Sequence, residues 1–110
     1  MRLESSGGDG IYLGATAQQP YCKDVVIRDV ACVDHHRQGI SVIGAENLLI
    51  ENCLMAGTQG TAPQAGIDFE PNRATERLVN CVVRNCTFAD NAGAGALVYL
   101  KNLSSESAPV

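Results

Sequence analysis

The sequence predicts an all-β fold, a right-handed parallel β-helix in which a single chain winds as a solenoid of about four coils. Two observations predict it. A unit of glycine followed by alternating apolar residues recurs four times, and a second unit rich in β-branched residues recurs between these copies. Each unit is too short to bury an apolar face alone, whereas stacked copies would bury a continuous core.

The first repeating unit begins at Gly10, Gly39, Gly66 and Gly95, with spacings of 29, 27 and 29 residues. The second unit covers residues 25–30, 48–53 and 81–86. Turn residues bound each unit, which predicts at least two strands per coil. No stretch has a sustained helical period, and composition predicts loops at residues 58–64 and 71–76.

Aligning the second unit places residues of one kind in the same column. One column is predicted to form an inward stack of Val30, Cys53 and Cys86. The column before it is predicted to form a hydrogen-bonded corner ladder of Asp29, Asn52 and Asn85. All five cysteines lack CxxC spacing and are odd in number, so we expect free thiols rather than a zinc site or a disulfide framework.

Length and charge limit the function classes. A chain of 110 residues suits one domain at most. Eight basic and twelve acidic residues, without a Lys/Arg cluster, argue against nucleic acid as a partner. No apolar run approaches the roughly 20 residues of a membrane-spanning helix. We expect residues 1–110 to be one partial β-helix domain cut at both ends from a longer protein.

Two segments carry a family resemblance. Gly8-Asp9-Gly10-Ile11 resembles the Asn-Thr-Asp-Gly strand entry of polygalacturonase-like proteins, and the segment 38–44, Gln-Gly-Ile-Ser-Val-Ile-Gly, resembles their Gly-His-Gly-Ile-Ser-Ile-Gly. The repeat architecture over residues 8–103 is similar to that of the pectin-lyase-like superfamily. Gln38 replaces the histidine, and the paired Asp-Asp and the Arg-Ile-Lys are absent. The resemblance therefore implies the fold, while an activity needs its own argument.

Asp68 and Glu70 are the first candidate catalytic residues. Ile67 and Phe69 align with inward positions of the other coils, so the two acids should both point outward, about 6.5–7 Å apart at Cα. Inverting glycosidases separate their carboxyl groups by roughly 6.5–9.5 Å to admit a water, and like charges raise one pKa. The alternative is an ordinary solvated face of the strand.

Further candidates lie in the turn before Gly39 and before the first glycine unit. Asp34 is a possible third carboxylate, His36 a proton carrier, and Arg37 a planar clamp for a sugar carboxylate or sulfate. The alternative is a turn that satisfies its own backbone. The resemblance implies that Asp9 is an acid of the same groove, and a tight turn is its alternative.

Two more residues are candidates for substrate binding. We expect Arg73 to line the far edge of the groove and Tyr12 to stack on a sugar face, although both also suit an ordinary surface. The loops 58–64 and 71–76 are expected to rim the groove. No set of residues with metal-ligand spacing is found.

These residues favour a carbohydrate-active enzyme, a glycoside hydrolase that cleaves a polysaccharide with paired carboxylates. One alternative is a polysaccharide lyase or uronate epimerase, which would use His36 and Arg37 and often needs Ca²⁺. Another is a non-catalytic surface or binding protein, although the acid pair occurs in one coil only. No other cofactor is expected. We expect an extracellular or periplasmic protein, and the sequence does not define its oligomeric state.

Overall fold

The computed structural model describes residues 1–110 and confirms an all-β parallel solenoid without helices. Each complete coil contributes three strands, one to each of three parallel sheets, A, B and C. Three complete coils are followed by two strands of a fourth. The sequence predicted about four coils, so the count differs only in the missing third strand of the last one. No helix is long and apolar enough to cross a membrane.

The eleven strands follow the same order in every coil. Sheet A contains β1 (Arg2–Glu4), β4 (Ala31–Val33), β7 (Leu54–Ala56) and β10 (Thr87–Ala89). Sheet B contains β2 (Asp9–Leu13), β5 (Gln38–Val42), β8 (Ala65–Phe69) and β11 (Ala96–Val98). Sheet C contains β3 (Cys22–Arg28), β6 (Ala45–Glu51) and β9 (Leu78–Arg84).

Both predicted repeats form strands that pair in the predicted register. In sheet B, Ile40 pairs with Ile11 on one side and Ile67 on the other. In sheet C, Ile50 pairs with Ile27 and Val83. These side chains point into the solenoid, where Ile40 and Ile50 of the middle coil are completely buried in a continuous apolar core. Hydrophobic burial between coils therefore holds the stack together.

Left-handed backbone corners separate the sheets and stack into ladders. At the end of sheet C, Asp29, Asn52 and Asn85 have φ of 57°, 54° and 53°, and Asn52 Nδ2 donates to Asp29 Oδ1 at 2.7 Å. Within the sheet C strands, Asn47 has φ 59°, donates to Asp24 Oδ1 and accepts from Asn80 Nδ2. Asn and Asp tolerate this conformation better than other non-glycine residues, which explains their recurrence.

The glycine that opens each sheet B strand changes which way its neighbours face. A Cβ on Gly39 would lie 2.4 Å from the Gly66 carbonyl oxygen and 3.1 Å from Cγ of the buried Met55. A side chain at position 39 would therefore point toward the core. Ile40, the next residue, also faces the core. This local irregularity interrupts the strand alternation. Gln38, the residue before Gly39, therefore faces outward, on the same side of sheet B as Ser41.

The connections between sheets B and C differ in length while the strands keep their register. They are residues 14–21 in coil 1, residues 43 and 44 in coil 2, and residues 70–77 in coil 3. Gly44 leaves room for the first of these loops, because a Cβ there would lie 2.6 Å from the Pro20 carbonyl oxygen. The Arg77 guanidinium of the third loop lies 4.7 Å above the Tyr21 ring. The two long loops thus meet over the short one.

Candidate active site

The outer face of sheet B carries the candidate acids. Asp68 lies in one column with Tyr12, Ser41 and Leu97, each from a different coil. Residues 57–64 precede β8 and residues 70–77 follow it, so the two loops expected to rim the groove flank this strand at opposite ends. Ile67 and Phe69 belong to the core, which confirms that Asp68 points away from it.

Asp68 is completely buried although it points away from the core. Its Oδ2 accepts a hydrogen bond from Gln38 Nε2 at 2.9 Å, and its Oδ1 is buried without a partner. Burial, and to a lesser degree the neighbouring Glu70 carboxyl, together raise the pKa of Asp68 to about 7, while the Arg37 guanidinium opposes the increase. Asp68 can therefore hold a proton near neutral pH.

Glu70 is half-buried and lies close enough to Asp68 to contribute to the raised pKa of that residue. Asp68 is completely buried, so the alternative of an ordinary solvated face of the strand does not describe it. The expected gap between the two carboxyl groups, wide enough to admit a water, stays a prediction. The sequence pattern shows only which face of the sheet a residue occupies. Whether solvent reaches that residue depends on the neighbouring strands that cover it.

Gln38 is a site residue that the sequence analysis did not propose. Its amide lies 1% exposed and makes two hydrogen bonds, donating from Nε2 to Asp68 and accepting at Oε1 from the Ala65 backbone N–H at 2.9 Å. This bridge between coils fixes the orientation of the Asp68 carboxyl. The signal available in the sequence was its position directly before Gly39, which is the position that Asp9 occupies before Gly10.

Asp9 and Arg37 complete the charged group around Asp68. Asp9 pairs with Gln38 across sheet B and is half-buried, with Oδ1 buried and without a partner. Burial raises the pKa of Asp9, while the Arg37 guanidinium acts in the opposite direction. The exposed Arg37 thus lies within electrostatic reach of both carboxyl groups. Asp9, Arg37, Gln38, Asp68 and Glu70 are hereafter the acid cluster.

Asp34 and His36 contact residues outside the acid cluster. Asp34 is a corner residue with φ 58°, and a Cβ on Gly57 would lie 2.2 Å from its Oδ1. His36 is exposed, and its Nε2 lies 2.9 Å from Thr61 Oγ1 in the loop before β8. No contact supports the proposed roles of Asp34 as a third carboxylate and of His36 as a proton carrier, so both roles stay predictions.

His35, by contrast, is buried and has a structural role. Its Nε2 donates to the Leu3 carbonyl oxygen at 2.9 Å, and its Nδ1 accepts from the Ser6 backbone N–H at 3.2 Å. The ring therefore joins coil 2 to coil 1. A Cβ on Gly10 would lie 2.5 Å from His35 Nε2, so the glycine that opens β2 makes room for the ring.

The two remaining candidates, Arg73 and Tyr12, are both exposed. Arg73 is exposed in a turn that Glu76 closes, because Glu76 Oε1 accepts from the Arg73 backbone N–H at 2.9 Å. Tyr12 is 57% exposed in the same column as Asp68, two coils away. No group of three or more His, Cys, Asp or Glu side chains is placed to hold a metal ion.

Comparison with known proteins identifies the family. The sequence profile described as right handed beta helix region matches residues 2–107. This chain belongs to the right-handed β-helix family. A relative is the uncharacterized protein YclG of Bacillus subtilis (strain 168), 31% identical over 106 residues. That alignment covers 86% of this chain and 18% of YclG, so this β-helix chain spans less than a fifth of its relative's length. No solved structure matches the chain.

Proposed function

We propose that this chain belongs to a carbohydrate-active enzyme, a glycoside hydrolase of the polygalacturonase-like branch that cleaves a polysaccharide on the outer face of sheet B. The supporting observation is the pairing of a buried carboxyl, Asp68, which holds a proton near neutral pH, with the half-exposed Glu70. The fold hosts several functions, so the fold by itself would not support an activity. The acid pair occurs in one coil only, which a repeating structural surface does not require.

In this proposal Glu70 is the group that contacts substrate, because Asp68 has no accessible surface. Glu70 protonates the glycosidic oxygen as general acid, and Asp68, the neighbouring protonated carboxyl, supplies the replacement proton. Asp9 activates the water as general base, and Arg37 favours its ionised form. Gln38 acts as a positioning residue, since its two hydrogen bonds hold the Asp68 carboxyl in place.

A second candidate function uses the same residues. Arg37 is exposed next to two carboxyl groups, and a guanidinium binds carboxylates in a planar fork. A polysaccharide lyase or uronate epimerase abstracts a proton next to a substrate carboxylate, which needs a base and such a neutralising cation. Glu70 would then be the base rather than the acid. In either case the substrate is a polymer too large to enter a cell, so we propose an extracellular or periplasmic location.

The test measures products from a panel of neutral and acidic polysaccharides. The purified protein is compared with Glu70→Gln, Asp68→Asn and the control Glu106→Gln, which changes an exposed carboxyl far along the sequence. New reducing ends that disappear in Glu70→Gln, by roughly 100-fold or more, and persist in the control support the hydrolase. The Asp68→Asn variant should lose activity mainly on the alkaline side of the pH profile, where Glu70 has no neighbouring proton store.

Other outcomes assign the chain differently. Ultraviolet absorbance of unsaturated sugars appearing together with the reducing ends would indicate the lyase. A change of sugar configuration without chain cleavage would indicate the epimerase. No product from any polymer, with variants as stable as the unmodified protein, would contradict catalysis and favour a non-catalytic β-helix.

A further inference from the structure

The Tyr12 ring is held in a fixed position on the outer face of coil 1. It lies against Gly14, where an added Cβ would be 2.6 Å from Tyr12 Cε1 and 3.2 Å from Cδ1. The glycine therefore provides the space in which the ring lies along the end of β2. More than half of the Tyr12 surface is nevertheless exposed, at 57%. One side of the ring rests on the backbone, and the rest of it is free to contact a ligand.

An open cavity of about 580 Å³, the largest in the chain, begins at this ring. Tyr12 and Tyr21 line it together with backbone of the loop 14–21, and the polar groups at its edge belong to Thr16, Gln19 and Lys23. Small-molecule sites commonly have this volume and this combination of aromatic walls with a few polar groups. Apolar ring faces and hydroxyl-bearing edges are also what a sugar presents.

The loop that walls the cavity is preorganised by its own hydrogen bonds. The Thr16 backbone N–H donates to the Gln19 carbonyl oxygen at 2.8 Å, and Thr16 Oγ1 accepts from the Gln19 backbone N–H at 2.9 Å. The Arg77 guanidinium covers the Tyr21 ring from the third coil. A wall that is already ordered loses little conformational freedom when a ligand binds.

The cavity also lies in line with the acid cluster. Tyr12, Ser41 and Asp68 occupy successive positions of one column, so Tyr12 is two coils from the acid pair. Adjacent strands are about 4.8 Å apart, which places the two Cα atoms roughly 10 Å apart. A short oligosaccharide spans that distance, so one glycan chain can occupy both places.

We infer that the cavity between Tyr12 and Tyr21 is a subsite that binds one pyranose ring of a glycan, by stacking on Tyr12, while the same chain extends to Glu70. The inference rests on the proposed function, because it takes the ligand to be the polysaccharide cleaved at the acid cluster. It adds a specific ring-binding position in coil 1 and the direction in which the chain lies, across the coils.

The test measures oligosaccharide binding by calorimetry in the Glu70→Gln background, where the ligand is not consumed. The probes are cello-, xylo- and galacturonic acid oligosaccharides from disaccharide to hexasaccharide. Tyr12→Ala should weaken binding of the longer probes roughly tenfold, the effect of losing one aromatic stacking contact. Gly14→Ala should weaken it similarly by displacing the ring, whereas Tyr12→Phe should bind normally.

The matched control is Val26→Ala, which alters a residue of equal exposure, 57%, on sheet C of the same coil. With Glu70 restored, Tyr12→Ala should raise KM while kcat stays constant. Binding that is equal in Tyr12→Ala and the parent protein, or absent in the parent with every probe, overturns the subsite. If Tyr12→Ala binds as well as the parent protein but the enzyme still cleaves the polymer, the subsite fails and the proposed function stands. If binding depends on Tyr12 but no polymer is cleaved, the subsite stands and the proposed hydrolase fails.

Discussion

Replacing Asp68 by asparagine should stabilise the protein at alkaline pH. Asparagine keeps the size of the side chain and accepts the hydrogen bond from Gln38 through its amide oxygen. It removes only the ionisable group. The substitution therefore isolates the free energy that the folded protein loses when a buried carboxyl must give up its proton.

The magnitude follows from the pKa of Asp68 in the two states. The pKa rises from 3.8 in the unfolded chain to about 7 in the folded one. Because one pKa unit corresponds to about 1.4 kcal/mol, ionisation costs the folded state up to roughly 4 kcal/mol. The folded state binds the additional proton, so this cost is absent below about pH 4, increases between about pH 4 and pH 7, and is constant above.

Urea unfolding followed by circular dichroism measures the effect. At about pH 8 the free energy of unfolding of Asp68→Asn should exceed that of the unmodified protein by up to roughly 4 kcal/mol, and at about pH 4 the two should agree. Glu106→Gln, an exposed carboxyl replaced in the same way, should change stability by less than about 0.5 kcal/mol at either pH. An Asp68→Asn protein that is equally destabilised at both pH values would refute the reasoning.

Three further substitutions test the scaffold by urea unfolding. Gly39→Ala should cost roughly 1–3 kcal/mol, because its Cβ would meet backbone of the next coil at 2.4 Å, whereas Gly7→Ala, with nothing within 4 Å, should cost little. His35→Ala should cost about 3 kcal/mol and speed amide exchange in coil 1, since it leaves a cavity and two unpaired backbone groups; the exposed His36→Ala should change less than about 0.5 kcal/mol. Asn47→Ala should be less stable than Asn47→Gly, because only glycine adopts φ 59° without steric cost; equal stability would contradict this account of the corner.

Sheets B and C were predictable because their strands are long enough to show a repeating apolar pattern. Sheet A was not, because its strands have only three residues, as in β1, and carry no alternation that a sequence pattern can display. Its corner is also varied in sequence, since Ser5, Asp34 and Gly57 all adopt the same left-handed conformation. The sequence therefore did not predict the left-handed conformation of Asp34, and its carboxylate was proposed as a catalytic group.

The candidate site was predictable in part for a related reason. The face of Asp68 followed from strand alternation, which applies within β8. The role of Gln38 did not follow, because alternation from Ile40 would place it in the core, and only the irregularity at Gly39 turns it outward. The burial of Asp68 also depends on the neighbouring coils, so it could not be predicted from residues 65–69 alone.

The unequal loops between sheets B and C have a consequence for how the protein can diversify. Strand register is the same whether the connection is residues 43 and 44 or the longer segments 14–21 and 70–77. Insertions at this corner are therefore decoupled from the stacking that stabilises the solenoid. Ligand preference can therefore change by exchange of the loop 14–21 alone, with Asp68 on β8, Glu70 after it and the stacked strands left unchanged.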